Sequence, residues 1–226
     1  LEAYEGMVKT IGQVRVREET TIGEIMEDRD IRERIMDMAG ASTLVHQAYS
    51  TDGRVNVTLE LSFFGGLSQM VLPSDIEHVE PIQSLGEKRN VKGPDPEKAS
   101  GGAKTPNPET FTGLVVDARG LGASPALALA LFDEAGEEIY GPAFISRETA
   151  VQQGMCLYGT YPTLAEKHPR VAPHPLLARA LRTRHMRGSD LVIGKTDALI
   201  LRSASEHLAF LRQCRVIIIL DSKPRP

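Results

Sequence analysis

The sequence lacks a hydrophobic run long enough to cross a bilayer. Its longest purely aliphatic run near the end, Val216 to Leu220, has five residues, whereas a spanning helix needs about 20. Of its 226 residues, 41% are hydrophobic and 25% are charged, which is typical of globular proteins. We therefore expect no transmembrane segment in this chain.

The sequence also lacks the common catalytic motifs. It contains no nucleophile elbow, no P-loop and no dinucleotide fingerprint. Gly120-Leu121-Gly122 starts such a fingerprint, but the match is too short, and Pro125 stands where the helix should begin. We therefore predict that the protein is not an enzyme, that it has no catalytic residue and that it binds no cofactor.

Metal-binding and disulfide patterns are equally sparse. His168, His174 and His185 have spacings that match no metal motif, and no cysteine lies near them in sequence. We predict no metal site. In an oxidising compartment Cys156 and Cys214 could form a disulfide worth about 4 kcal/mol. Because Cys214 directly precedes an apolar strand, the sequence favours two free, largely buried thiols.

The charge differs between the two ends of the chain. Residues 1–83 carry 7 Lys/Arg and 15 Asp/Glu, net −8, whereas residues 111–226 carry 14 and 11, net +3. Such units could attract one another or their copies. The acidic half is a poor partner for nucleic acid, and we expect no nucleic-acid partner.

Composition divides the chain into three parts. Residues 84–110 contain four prolines and four glycines and almost nothing to bury, which predicts a flexible linker. The linker separates an amino-terminal helix–strand–hairpin module at 1–83 from a second domain at 111–226. Apolar residues share a helical face from Leu1 onward with no capping residue before them, so we expect that the module's start is truncated.

The periodicity of the apolar residues predicts an α+β protein. In the first module we predict a helix, a strand at 14–17, a helix at 30–39 and a hairpin of strands 43–49 and 54–62, of which one face is buried. In the second domain we predict strands at 114–116, 191–194 and 215–220, a hairpin ending at Tyr140, and a helix capped by Ser205. Each domain is expected to be a largely antiparallel sheet with helices packed on one face.

A turn after the first strand of the second domain is the predicted binding position. Asp117-Ala118-Arg119-Gly120 follows that strand directly, and Gly122 loosens the turn further. Strand ends of this kind often bind ligands in α/β proteins. Arg119 could hold a carboxylate or phosphate while the amides of Gly120 and Gly122 approach it. Asp117 and Arg119 could equally form a structural ion pair.

A second candidate surface is a basic strip between residues 166 and 187. This stretch has a single acidic residue, Glu166. We define the basic strip by its six cationic residues: Lys167, Arg170, Arg179, Arg182, Arg184 and Arg187. Such a strip could bind an anionic polymer in a salt-dependent way. Aromatic residues for stacking are absent there, so a solvated or subunit-facing strip is the favoured interpretation.

Several segments together resemble a family of bacterial envelope proteins. AYEGMVKTIGQVRVREETTIGEIM, DIRERIMDMAGAS and DGRVNVTLEL are similar to the amino-terminal module shared by Lpp-twenty-type lipoproteins and flagellar assembly protein T. TGLVVDARGLGASPAL, FDEAGEEIYG and FLRQCRVIII resemble the companion region of proteins in the same group. No lipobox cysteine is visible in this sequence.

The resemblance implies a secreted, non-enzymatic structural or assembly protein. It implies a periplasmic or outer-membrane location, a removed signal peptide, a possible lipid anchor upstream, and contacts with other envelope proteins or with copies of itself. For flagellar assembly protein T, that role is building a ring around the motor. The competing prediction is a small-ligand-binding or enzymatic domain that uses the Asp117–Arg119 turn.

Overall fold

The computed structural model describes residues 2–74, 76 and 110–222. It shows an α+β protein, as the periodicity predicts, with two small antiparallel sheets and one larger mixed sheet. The predicted linker at 84–110 lies outside the described residues, except for Thr110. The predicted domain boundaries therefore stay a prediction.

Within residues 2–74 and 76, which we call the amino-terminal segment, the structure shows four helices and four strands. They are α1 (Glu2–Gly12), β1 (Arg15–Arg17), β2 (Thr20–Thr21), α2 (Ile22–Ile25), α3 (Arg29–Gly40), β3 (Thr43–Tyr49), β4 (Val55–Glu60) and α4 (Gly66–Val71). Asp28 caps α3, because its Oδ1 accepts hydrogen bonds from the amides of Asp30 at 2.9 Å and Ile31 at 3.2 Å. The helices share a core that includes Ile11, Ile35 and Leu67.

The carboxy-terminal segment contains a seven-stranded sheet with four helices. The elements are β5 (Gly113–Asp117), β6 (Leu131–Phe132), β7 (Glu138–Tyr140), α5 (Arg147–Gln153), β8 (Leu157–Gly159), α6 (Pro162–Glu166), β9 (Pro175–Thr183), β10 (Leu191–Ile193), α7 (Lys195–Arg202), α8 (Ser205–Arg212) and β11 (Val216–Ile219). The strand order is β7-β6-β10-β9-β5-β11-β8. The predicted strands and the hairpin ending at Tyr140 are all present.

The direction of these strands corrects one detail of the prediction. The carboxy-terminal sheet is mixed rather than largely antiparallel: β8, β11, β5 and β9 run parallel, and so do β10 and β6. Only the β9–β10 and β6–β7 pairs are antiparallel. Parallel strands need crossover connections, and here the segments that connect the parallel strands contain helices. The sequence shows these strands as separate apolar runs and does not indicate their direction.

Side chains pack on both faces of this sheet, whereas we expected helices on one face. Leu114 and Val116 of β5 join the main core with Phe210 of α8, while Val115 packs on the other face with Ala165 of α6. A strand buried on both faces needs apolar residues at every position. This explains why β5 and β11 appear in the sequence as unbroken apolar runs.

The cap predicted for the last helix is also wrong. Ser205 is the first residue of α8, and Ala204 occupies the N-cap position without a side-chain hydrogen bond. The buried residues of α8 are His207, Phe210 and Leu211. The helix therefore begins one residue earlier than a serine cap implies.

The amino-terminal and carboxy-terminal segments are joined by backbone pairing. The amides of Leu127 and Ala128 donate to the carbonyls of Arg15 at 3.0 Å and Val16 at 2.7 Å. The Arg147 guanidinium also donates to three carbonyls at the end of α4, those of Gln69, Leu72 and Pro73. We call the junction the region where β1 meets residues 127–128 and where Glu18, which follows β1, meets residues 188–190.

Candidate functional site

The predicted binding turn lies at the carboxyl end of β5, between β9 and β11. Gly120 and Gly122 have φ values of 80° and 64°, a left-handed conformation that glycine adopts readily. The turn is exposed at Arg119 and Gly120, and Ala118 beneath it is fully buried. The structure therefore brings Asp117, Arg119 and both glycines together, as the sequence predicts.

Within this turn, Arg119 and the amide of Gly120, two of the groups proposed to bind a ligand, already have partners. Arg119 holds Asp117 in a bidentate pair, with Nε to Oδ1 at 2.9 Å and Nη2 to Oδ2 at 2.7 Å. The amide of Gly120 donates to the carboxylate of Asp221, at 2.9 Å to Oδ1 and 3.1 Å to Oδ2. The arrangement fixes the turn against the end of β11.

The electrostatics of the turn agree with a structural ion pair. The pKa of Asp117 lies below its ordinary value of 3.8, mainly because its carboxylate accepts a hydrogen bond from Arg119. Burial acts in the opposite direction and raises this pKa. Asp117 is therefore ionised at neutral pH and is a poor general acid. The donors of this turn can stabilise a carboxylate. In the structure, the Asp117 carboxylate already accepts from Arg119, and the Asp221 carboxylate already accepts from the Gly120 amide.

We expect Asp117→Ala to lower the melting temperature by about 2 °C at pH 7, because an exposed ion pair contributes little. The pKa of Asp117 is lowered in the folded protein, so its contribution is present above the ordinary value of 3.8 and is lost as the pH falls through the folded value. The difference in melting temperature between variant and wild type should thus shrink towards pH 3. Loss of partner binding with unchanged melting temperature would instead identify the turn as a contact site.

The basic strip does not form one binding surface. Arg170 is turned inward, where its guanidinium donates to the carbonyls of Cys214 at 2.6 Å, of Gln153 at 2.7 Å and of Gly154. Arg184 stacks on Phe132 with its guanidinium carbon 4.0 Å from the ring centroid. Both side chains thus serve packing. Arg184 is nevertheless exposed, as are the remaining members: Lys167, Arg179, Arg182 and Arg187.

The three histidines of the strip are not gathered around a common centre. His168 accepts a hydrogen bond at Nδ1 from the amide of Arg170 at 3.2 Å, and all three side chains are exposed. Across residues 2–74, 76 and 110–222, no three His, Cys, Asp or Glu side chains are arranged to hold a metal ion.

Cys156 and Cys214 are free thiols in the structure. Cys214 is buried and Cys156 is half-buried. Burial raises the pKa of Cys156 to about 12, and burial likewise raises that of Cys214. Both groups are therefore protonated at neutral pH, so neither is an activated nucleophile.

Sequence reasoning missed His207, which is fully buried in α8. Its Nε2 accepts a hydrogen bond from the amide of Phe111 at 3.2 Å, so Nδ1 carries the proton and donates to the carbonyl of Ile200 at 2.8 Å. The ring thus connects the entry to β5 with the end of α7. A lone histidine in a helix carries no spacing signal that would have revealed this role.

The hairpin of β3 and β4 exposes apolar side chains that we predicted to be buried. We define the hairpin surface as Leu44, Val45, Tyr49, Val55 and Val57, whose exposed fractions are 52%, 49%, 77%, 49% and 40%. Tyr49 pairs with Val55, Gln47 with Val57 and Leu44 with Leu59 across the strands, which places these side chains on one face. Val45 lies at the register shift between Leu44 and His46 and is exposed beside them. Among the described residues of this face, those at its base, Leu59 and Leu61, are partly covered.

A groove runs between this face and α1. Its volume is about 400 Å³, and its lining includes Met7 and Ile11 of α1 together with Val57, Leu59 and Phe63. The rest of its lining is mostly apolar. The groove extends the hairpin surface towards the core of the amino-terminal segment, and an apolar side chain could enter it.

Among the described residues, no helix has the length and apolar character needed to span a membrane. Residues 113–222 are similar to the second domain of Treponema pallidum Tp0624. The match begins at the first residue of β5 and covers the whole seven-stranded sheet, which is slightly less than half of the chain. No curated protein matches the chain.

Proposed function

We propose that this protein is a non-enzymatic structural or assembly component of the bacterial cell envelope that acts through protein–protein contacts. The resemblance of its amino-terminal segments to Lpp-twenty-type lipoproteins and flagellar assembly protein T supports a periplasmic or outer-membrane location. The hairpin surface supports the mode of action. The proposal includes other envelope proteins as partners.

The observation that carries the proposal is the exposed apolar face of the β3–β4 hairpin. A two-stranded hairpin is marginally stable without further packing. This hairpin nonetheless places Tyr49, Val55 and Val57 on one exposed face. Contiguous exposed apolar surface of this kind often marks a protein–protein contact. A covering partner would supply packing that the described part of the chain gives at the base of the hairpin alone.

The geometry favours an extended polypeptide as the occupant of this surface. In the part of the chain that the structure describes, β3 pairs only with β4, so its outer edge has no strand beside it. An extended segment that adds to this edge gains main-chain hydrogen bonds, and its alternate side chains can cover the apolar face. The groove beside α1 offers a position for one such side chain.

The test is a triple variant, Val45→Thr, Tyr49→Thr and Val57→Thr, which keeps residues that favour strands. In native gels of envelope extracts, we expect the wild type to migrate within a larger assembly and the triple variant to migrate as the free chain. Met186→Thr is the matched control, since Met186 is 93% exposed outside the hairpin. Sedimentation of the purified chain shows whether a second copy is the partner.

Two results would contradict the proposal. One is a triple variant that folds normally and stays in the assembly, and the other is a wild type that migrates as the free chain. The competing function, ligand binding at the Asp117–Arg119 turn, predicts a different result. A rise in melting temperature with one nucleotide, sugar or cell-wall fragment, lost in Arg119→Ala, would favour it.

A further inference from the structure

Two carboxyl groups from distant parts of the chain meet at the junction. Glu18 lies in the turn between β1 and β2, and Asp190 directly precedes β10. The amide of Asp190 donates to Glu18 Oε1 at 3.3 Å, and the amide of Glu18 donates to Ser189 Oγ at 3.1 Å. The amide of Ala130 donates to Asp190 Oδ1 at 2.8 Å. The pair therefore connects β1 and β2 to the seven-stranded sheet.

The two groups are enclosed, and one of their oxygens lacks a donor. Asp190 is 4% exposed. Glu18 Oε2 is buried and has no hydrogen-bond donor among the described residues when both carboxyl groups are ionised. An ideal Cβ at Gly188 would lie 2.7 Å from this oxygen, so the glycine leaves room for it. A buried acceptor without a donor is unfavourable, and a proton on Asp190 would supply one.

Several other charged and titratable groups face the pair. Arg17 on β1 favours the ionised form of Asp190, while the Arg15 guanidinium donates to the backbone carbonyl of Glu18 instead of its carboxylate. On β8, Tyr158 interacts electrostatically with Asp190, but its hydroxyl is bonded to the carbonyl of Ala126 at 2.8 Å. In the loop before β10, the backbone amide of Arg184 donates a hydrogen bond to the backbone carbonyl of Asp190 at 2.9 Å.

We propose that Glu18 and Asp190 form a proton-dependent latch that holds the junction closed while the Asp190 carboxyl carries a proton and loosens it when Asp190 loses that proton. The latch is separate from the hairpin surface, and its test does not depend on the proposed function. Shared protons between adjacent buried carboxyl groups have the same physical origin in other proteins, because two like charges at contact cannot both ionise at low cost.

The direction of the pH dependence follows from Asp190. Burial, followed by the hydrogen bond with Glu18, raises the pKa of Asp190 from 3.8 to about 7. A carboxyl group with a raised pKa stabilises the folded state fully below its ordinary value, and this stabilisation is lost as the pH rises through the folded value. The junction should therefore open more readily at pH 8 than at pH 6.

The test compares the wild type with Asp190→Asn by hydrogen exchange at the amides of Leu127 and Ala128, which bond to β1. After correction for intrinsic exchange, we expect wild-type protection to fall about tenfold between pH 6 and pH 8. The side-chain amide introduced by this substitution can accept from Ala130 and donate to Glu18 Oε2 at every pH. Protection in the variant should stay constant over the same range, and at pH 8 it should exceed that of the wild type.

Two further variants keep the test decisive. Glu18→Gln also removes one charge from the pair and should flatten the pH dependence, which provides a result if Asp190→Asn does not fold. Asp133→Asn is the contrasting control, because the Asp133 carboxylate pairs with Arg202 at 2.9 Å. It should lower the melting temperature at both pH values. Equal pH dependence of junction protection in the wild type, Asp190→Asn and Glu18→Gln would overturn the latch.

Discussion

Replacing Arg170 with alanine should lower the free energy of unfolding by about 3–5 kcal/mol, because three backbone carbonyls lose a charged donor. The carbonyls belong to Gln153, Gly154 and Cys214, and they come from the end of α5 and the start of β11. The Arg170 carbonyl itself accepts from Arg215 Nε at 2.9 Å. Chemical denaturation of the purified protein measures the change.

Lys167→Ala is the matched control for Arg170→Ala, since it removes a cation from the same basic strip at an exposed position. It should change the free energy of unfolding by no more than about 0.5 kcal/mol. Arg170→Lys should destabilise nearly as much as alanine, because one ammonium group cannot reproduce the fixed geometry of a guanidinium. Equal, small effects of all three substitutions would show that Arg170 is a solvated cation.

Gly113→Ala should destabilise the protein by about 3 kcal/mol, because the added methyl group overpacks the sheet. An ideal Cβ at this first residue of β5 would lie 2.6 Å from both Cα and Cβ of Val171. Val171 is fully buried against Val115 and Ile217, so its backbone has little room to move. Thermal or chemical denaturation measures the loss.

The control for Gly113→Ala is the same substitution at Gly6. This residue lies within α1, and a Cβ there would meet nothing within 4 Å. Alanine is the better helix former, so Gly6→Ala should raise the stability by about 0.5–1 kcal/mol. If both substitutions had the same sign, the close contact between β5 and Val171 would not exist in solution.

The sequence predicted those elements whose patterns are local. The run at Leu114–Val116 and the run before Leu220 correspond to β5 and β11, and the turn at Asp52-Gly53 lies between β3 and β4. Capping of α3 by Asp28 is equally local, since a short polar side chain before a helical pattern binds its first amides. These interactions join residues close in sequence.

Strand order and direction depend on long-range packing, which has no such local pattern. Nothing in the residues of β9 shows that it pairs with β5 on one side and β10 on the other. The residues Leu176–His185 have a pattern that fits either a strand or a helix. The fold makes most of them part of β9, whose Leu176, Ala178 and Ala180 pack in the main core. A short pattern of alternating apolar and polar residues is compatible with a strand or a helix until the packing around it is known.

The candidate sites show the same division. Asp117 and Arg119 are two residues apart, so their pairing can be predicted from the sequence, whereas Glu18 and Asp190 are separated by 172 positions and no local pattern connects them. Arg170 was grouped with its neighbours by charge alone, although its donors are directed at backbone carbonyls. The sequence shows which charges are present, and the fold decides which of them are used internally.

The hairpin surface is the most direct point at which to test the proposed function. A photoreactive phenylalanine analogue that replaces Tyr49 should crosslink in intact cells to one discrete polypeptide, identified by mass spectrometry. The same analogue at Met186, also fully accessible, should give no such product. The proposal predicts a product from position 49 that disappears when Val45 and Val57 are replaced by threonine. Absence of any product at position 49, or equal products from both positions, would contradict it.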